Sequence, residues 1–301
     1  MQPRAVNWLI FVILSLIWGS SFILMKNGLR GLSAFQVASI RIISAGMVLF
    51  PYSLKALKII PFRKIPLIAV SGMLGNLLPA YLFCMAEQQI DSGLAGVLNA
   101  LTPIFTIIIA FLAFKTLTPV VKVLGIFIAF GGSFLLFLSQ PDFKQDPHTL
   151  PVLLIVLATI MYGTNVNLVS RYLAAYSSPQ IVGLALLLNA IPAFIILFFS
   201  GFFNMYVSGE FIFSGLSSVV LGVFGTAVAS IFFYKLIQRA GIVFSSMVTY
   251  AMPFVALFWG FMYGERIGFF QAISMIIILM GVYLANWRKR SAGVNTEVRS
   301  Q

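Results

Sequence analysis

Charge is scarce in this sequence: only 9% of its 301 residues are charged, and Asp plus Glu number 7. Ordinary water-soluble domains carry about 25% charged residues, so a soluble globular class is excluded. Cysteine and histidine occur once each, as Cys84 and His148. A lone cysteine excludes an intramolecular disulfide, and a lone histidine has no partner for a zinc site. No phosphate-binding glycine loop, metal-ligand cluster or nucleotide-fold pattern is present, which excludes direct coupling to ATP within the chain and gives no reason to expect a cofactor. No Asp, Glu or His falls in the middle of an apolar run, where proton relays of pumps usually sit. An intramembrane protease or acyltransferase would need Ser with His, paired Asp or a metal set at depth, and the sequence offers none of these, so no enzyme is expected.

What is abundant is apolar: 60% of the residues are hydrophobic and 30 are Phe. A bilayer core takes about 20 apolar residues per helix. That ruler predicts an all-α integral membrane protein with ten spans, at 7–27, 34–52, 65–85, 92–114, 119–138, 149–168, 179–200, 210–234, 241–263 and 267–287. The first run has no small-x-small cleavage site and reads as a retained helix. The net charge of +12 is no argument for nucleic acid, because the Lys and Arg residues sit in short connectors, where they face anionic lipid and set topology. With the N-terminus inside, Arg4, Lys55, Lys58, Arg63, Lys64, Lys115, Lys122, Arg171, Lys235, Arg239, Arg288, Lys289, Arg290 and Arg299 all fall inside. Only Lys26, Arg30, Lys144 and Arg266 fall outside. Both termini are therefore expected in the cytoplasm.

The chain also aligns with itself. At an offset of 144, "LSLIWGSSFI" lies over "ATIMYGTNVN", pairing Trp18 with Tyr162 and Gly19 with Gly163, and "SAFQVAS" lies over "SSPQIVG". At an offset of 150, Gly72 meets Gly222, Gly75 meets Gly225, Phe83 meets Phe233, Pro103 meets Pro253 and Gly131 meets Gly281. Each unit holds five helices, an odd number, so the second copy enters the membrane from the opposite side. The expected organisation is a first repeat over 1–138, an extracytoplasmic connector over 139–148, a second repeat over 149–287 and a basic tail over 288–301. Inverted repeats place a binding site near the midplane between halves and work by alternating access.

These stretches carry a resemblance. "LIWGSSFILMK" near the start, and the Pro-centred "NALTPIFTIIIAFLAF" and "TYAMPFVALFWGFMYGERI", are similar to the EamA-type members of the drug/metabolite transporter superfamily over nearly the whole chain. The resemblance implies a ten-helix metabolite transporter of the bacterial inner membrane, most often an exporter, whose cavity is lined by the first, third and fourth helices of each half. One departure is plain: the second copy has the family's Gly-Glu pair at Gly264 and Glu265, where the first has Phe114 and Lys115.

Polar side chains are costly in hydrocarbon and usually face the bundle interior. Four polar pairs recur in both halves: Trp18 with Tyr162, Ser21 with Asn165, Asn76 with Thr226, and Asn99 with Thr249. Pro103 and Pro253 lie four residues beyond the last pair, and each would free the carbonyl of Asn99 or Thr249 by removing a helical hydrogen bond. These residues predict a central, uncharged cavity for a small polar or amphipathic molecule such as an amino acid. Asn and Thr also bind helices to one another, so packing remains the competing role. Tyr81, Tyr234 and Tyr250 are weaker candidates. The paired glycines 72, 75, 222 and 225 read as close-packing surfaces, and Met25 and most of the Phe residues as filler.

Arg41 breaks the symmetry, since its counterpart is Ala185. Exposing it to lipid would cost about 2.5 kcal/mol or more. Three roles stay open: a clamp on groups such as Ser39 or Ser44, a gate pairing with Glu87 or Asp91, or an anchor for a substrate carboxylate. The expected function is secondary transport of a small-molecule metabolite. A sugar-phosphate or nucleotide-sugar carrier would want several cations in the cavity. A non-transporting scaffold would show no flux.

Overall fold

The computed structural model describes residues 3–90, 92–139, 149–262 and 268–286. Asp91, His148, Glu265, most of the expected connector and the basic tail lie outside the described residues. Among the described residues every regular element is helical.

In chain order these are α1 (Pro3–Gly31), α2 (Ala34–Val48), α3 (Phe50–Ile59), α4 (Ile65–Gly72), α5 (Leu78–Ala86), α6 (Ser92–Asn99), α7 (Thr102–Leu112), α8 (Val120–Leu138), α9 (Thr149–Tyr172), α10 (Ser178–Phe199), α11 (Gly209–Val220), α12 (Ala229–Ala240), α13 (Ile242–Ser246), α14 (Val248–Met262) and α15 (Phe269–Ala285). Seven continuous helical stretches are long and apolar enough to cross a membrane, or eight if the bent pair α2–α3 is one span. Two further apolar helices, Ile242–Val255 and Phe269–Ala285, are shorter. The fold is thus that of a multi-pass membrane protein; among the described residues seven of the ten expected spans meet the length test, and an eighth does if α2–α3 is one span.

The departures from straight spans have local causes. The expected span 34–52 bends by 65° between α2 and α3. Pro51 sits in the first turn of α3, where its missing N–H is harmless, whereas inside a continuous helix its ring would strike the preceding turn. The expected span 92–114 is one continuous stretch, Ser92–Leu112, with a two-residue turn inside it: α6 ends at Asn99, and α7 begins at Thr102 with Pro103 in its first turn. In the second half the interruption falls earlier, at Met247, and Pro253 lies inside α14.

Both starts of the second helix of each half are built alike. The Ser33 N–H donates to Gln36 Oε1 at 2.9 Å, and the Ser177 N–H donates to Gln180 Oε1 at 3.1 Å. In both, the Gln side chain satisfies a backbone donor that a helix start leaves open, and at Ser33 the cap is reciprocal, with the Gln36 N–H donating to Ser33 Oγ at 3.3 Å. The shared Gln cap is what the aligned "SAFQ" and "SSPQ" encode.

Two π-helical segments interrupt the third helix of each half, at Met73–Leu77 between α4 and α5 and at Leu221–Val228 between α11 and α12. Such wide turns re-aim side chains and are frequent at functional sites. Glycines let neighbours close on them. A Cβ on Gly72 would meet Asn189 Nδ2 and the Ala185 carbonyl, and one on Gly222 would meet Ser44 Oγ and the Arg41 carbonyl. Residues 41 and 185 are the equivalents at an offset of 144, so the same backbone approach is made twice.

The last helices of the two halves, α8 and α15, pack backbone to backbone. A Cβ on Gly125 would run into Ala285 and the Gly281 carbonyl, and one on Gly281 into Ala129 and the Gly125 carbonyl. Small residues permit this approach where lipid supplies no hydrophobic drive for association. Gly131, aligned with Gly281 in the sequence, has open space beside it, so this pair does not share a packing role.

Candidate functional site

A cavity of about 90 Å³ lies between the two halves. Trp18, Ser21, Asn76, Asn99, Tyr162, Asn165 and Thr249 line it. Thr226 does not. It is fully buried, and its Oγ1 accepts the Arg41 Nε–H at 2.6 Å. Neither Pro103 nor Pro253 lines the cavity; each acts on the helix around it.

Polar lining residues are held across the halves. The Trp18 indole N–H donates to the Gly225 carbonyl, inside the second π segment, at 2.9 Å. Ser21 packs on Gly225, and its Oγ lies 2.8 Å from where a Cβ would be. In the other half Asn165 lies against Gly75. Its Nδ2 donates to Tyr234 Oη at 2.9 Å while its Oδ1 accepts from Ser71 Oγ at 2.6 Å. Ser230 Oγ donates to Asn76 Oδ1 at 2.9 Å. Asn99 Nδ2 reaches the Met252 sulfur at 3.5 Å.

Aromatic rings repeat the pattern. Trp18 meets Phe233 edge-on at 5.0 Å between centroids, and Tyr162 meets Phe83 at 6.2 Å. These are the pairs that the two sequence offsets relate. The small residues behind them match as well: a Cβ on Gly19 would strike Val255, and one on Gly163 the backbone of Phe105 and Thr106.

Other expectations need correction besides that for Thr226. The cavity is not uncharged, because Arg41 lines it. Depth along α2 was readable from the sequence, but the direction of the side chain was not, and the close approach at Gly222 turns α2 so that the guanidinium reaches Thr226. Of the hydroxyls open to Arg41, its side chain takes that of Thr226 rather than those of its own helix: Ser39 bonds Tyr81 Oη at 2.7 Å, and Ser44 Oγ donates to the Arg41 backbone carbonyl at 3.2 Å. Finally, Met25, Phe22, Phe83 and Phe233 line the cavity rather than serving as filler. For Phe83 and Phe233 the sequence held a signal, their alignment at an offset of 150. Of the weaker tyrosines, Tyr234 lines the cavity, while Tyr250 is fully buried and donates to the Ile126 carbonyl at 3.0 Å.

Glu87 lies just past the end of α5, buried, with Oε1 lacking a hydrogen-bond partner among the described residues. Its Oε2 accepts from Ser92 Oγ at 3.3 Å. Burial pushes its carboxyl up to about 8, against the lowering pull of the Ser92 hydroxyl and the charges of Lys26 and Arg41. Among the described residues no group of three or more His, Cys, Asp or Glu side chains is arranged to hold a metal ion.

A family model described as the EamA-like transporter family matches residues 6–138 and 149–287. The chain belongs to that family. A protein named uncharacterized transporter from Archaeoglobus fulgidus is 25% identical over 279 residues, covering 92% of this chain and 98% of the relative. The uncharacterized inner membrane transporter YedA of Escherichia coli K12 is 24% identical, covering 92% of this chain and 89% of the relative. A probable terminal-alkyne amino-acid exporter of Streptantibioticus cattleyicolor is 23% identical, with 90% of each chain covered. A solved crystal structure superposes with a TM-score of 0.71 at 18% identity over 93% of this chain and 96% of that one, a likeness of fold alone. The EamA-like chain is a multi-pass membrane transporter by family, and its relatives' names point the same way.

Proposed function

We propose that this EamA-like chain is a secondary transporter of small polar or amphipathic metabolites, amino acids among them, and that it works by alternating access in a bacterial inner membrane. The observation that carries the reading is the cavity wall, to which both halves contribute equivalent residues: Trp18 with Tyr162, Ser21 with Asn165, Asn99 with Thr249. Two five-helix repeats of opposite orientation would rock about such a wall and expose it to one side at a time. The name of the Streptantibioticus relative supports amino acids as a class, and that of YedA supports the inner membrane. A sugar-phosphate carrier is disfavoured, because Arg41 is the single charged side chain lining the cavity among the described residues.

The test is uptake of a labelled amino-acid and metabolite panel into proteoliposomes, with and without a pH gradient. The double variant Asn99→Leu plus Thr249→Leu is the control. Saturable flux that the double variant abolishes is the expected result. Absence of flux for every compound would favour a non-transporting role.

A further inference from the structure

We infer that the solute held in this cavity carries a carboxylate, and that Arg41 anchors it through its two terminal nitrogens. The inference rests on the transport reading and names its substrate class. Arg41 is half-buried, lines the cavity and spends its Nε–H on Thr226 Oγ1 at 2.6 Å. A guanidinium has five N–H donors in a rigid fork. The four on Nη1 and Nη2 take no acceptor among the described residues. A purely structural arginine at depth would be saturated by carbonyls or neutralised by a carboxylate, since an uncompensated charge out of water is costly. Here the backbone is fixed instead: α2 is pinned where Gly222 closes on the Arg41 carbonyl, and the Nε bond orients the plane of the fork. The result is a cation held in a fixed plane, with its two terminal nitrogens unbonded among the described residues.

One guanidinium matches one carboxylate by two parallel hydrogen bonds. A phosphate dianion would leave charge unbalanced, because the remaining polar lining groups are neutral. Beside the neutral polar groups the wall carries aromatic rings, Trp18, Phe22, Phe83 and Phe233, which suit an apolar body or an ammonium over a ring face. The geometry therefore favours arylalkyl and similar apolar carboxylates, with or without an amino group.

The experiment compares matched probes that differ only in the anchoring group: 3-phenylpropionate against 3-phenylpropionamide, and L-phenylalanine against L-phenylalaninamide. Binding to the full chain in nanodiscs is read by quenching of tryptophan fluorescence. Each carboxylate is expected to bind at least ~10-fold tighter than its amide, with the ratio collapsing towards one in Arg41→Gln and partly kept in Arg41→Lys. A structural role would weaken both members of a pair alike and leave the ratio unmoved. Equal binding of acid and amide by the unaltered protein, a ratio that survives Arg41→Gln, or no binding of either acid would each overturn the inference. Should Arg41→Gln fail to fold, the unaltered protein and Arg41→Lys still decide it. Flux separates the two claims. Transport of amines or amides without preference for acids overturns the carboxylate anchor and leaves the transporter standing, whereas an intact binding ratio without flux of any compound does the reverse.

Discussion

The Trp18 indole N–H donates to the Gly225 carbonyl at 2.9 Å, and so ties the first helix of one half to the π-helical segment of the other. Tyr162, its equivalent, has a hydroxyl with no such bond among the described residues, although its ring lines the same cavity. The two aromatic positions are equal in sequence and unequal in bonding. One closes a protein contact; the other lines the cavity without a hydrogen bond among the described residues.

That asymmetry predicts different phenotypes. Trp18→Phe keeps an aromatic ring beside Phe233 but leaves the Gly225 carbonyl unpaired, a loss of about 1 kcal/mol. A lowered melting temperature with reduced flux is expected. Tyr162→Phe should leave the melting temperature unchanged and alter only KM. Melting curves of the detergent-purified protein, set beside proteoliposome kinetics, check both; equal melting losses would contradict the asymmetry.

Gly222 permits the approach that sets Arg41. An added methyl would meet Ser44 Oγ and the Arg41 carbonyl, and backbone does not yield as a flexible side chain does. Gly222→Ala is expected to destabilise by roughly 1–3 kcal/mol and to lower carboxylate binding by displacing the guanidinium. Gly215→Ala, where the added methyl meets nothing within 4 Å, is the control that should melt as the unaltered protein does. Thermal unfolding followed by size-exclusion chromatography reads both.

Much of this arrangement was legible in the sequence, and the remainder was hidden for physical reasons. Matched polar and aromatic positions at two offsets marked most of the cavity wall, because a wall to which both halves contribute leaves the same residue types twice. The direction of Arg41 was not legible, since periodicity fixes depth along a helix but not which neighbour a long side chain reaches. The π segments were hidden as well: no residue pattern announces an extra residue in a turn, and Gly75 and Gly225 read only as packing. Thr226 was grouped with the cavity on the strength of its partner Asn76, yet it lies behind the wall and holds Arg41. The short interruptions after Asn99 and at Met247 were not located by the sequence, because proline signals disruption without specifying where the helix yields.

The α8–α15 contact separates two glycines that the repeat equates. Gly281 lies on the backbone of Ala129 and Gly125, whereas Gly131 has open space beside it. Gly281→Ala should destabilise the protein by roughly 1–3 kcal/mol through overpacking. Gly131→Ala should be neutral or slightly stabilising, since Ala is the better helix former. Matching losses at the two sites would mean that α15 can slide to relieve the clash.

Glu87 makes stability depend on pH. Burial raises its carboxyl from an ordinary 4.5 to about 8 in the folded chain, so between those limits the folded state holds a proton that the unfolded state has released. The sign follows: stability is greatest below about pH 4.5, falls as pH rises through the window and levels off above about 8. The slope from this one group is about 1 kcal/mol per pH unit. Glu87→Gln should flatten that part of the curve and raise the melting temperature at pH 8.5, where the unaltered protein carries a buried charge with an unpaired Oε1. Ser92→Ala removes the hydroxyl that lowers the carboxyl's pKa, and should extend the pH-dependent range further into alkali. Melting temperatures of the three proteins from pH 5 to pH 9 decide the matter, and a variant curve parallel to the original would show that another group titrates there.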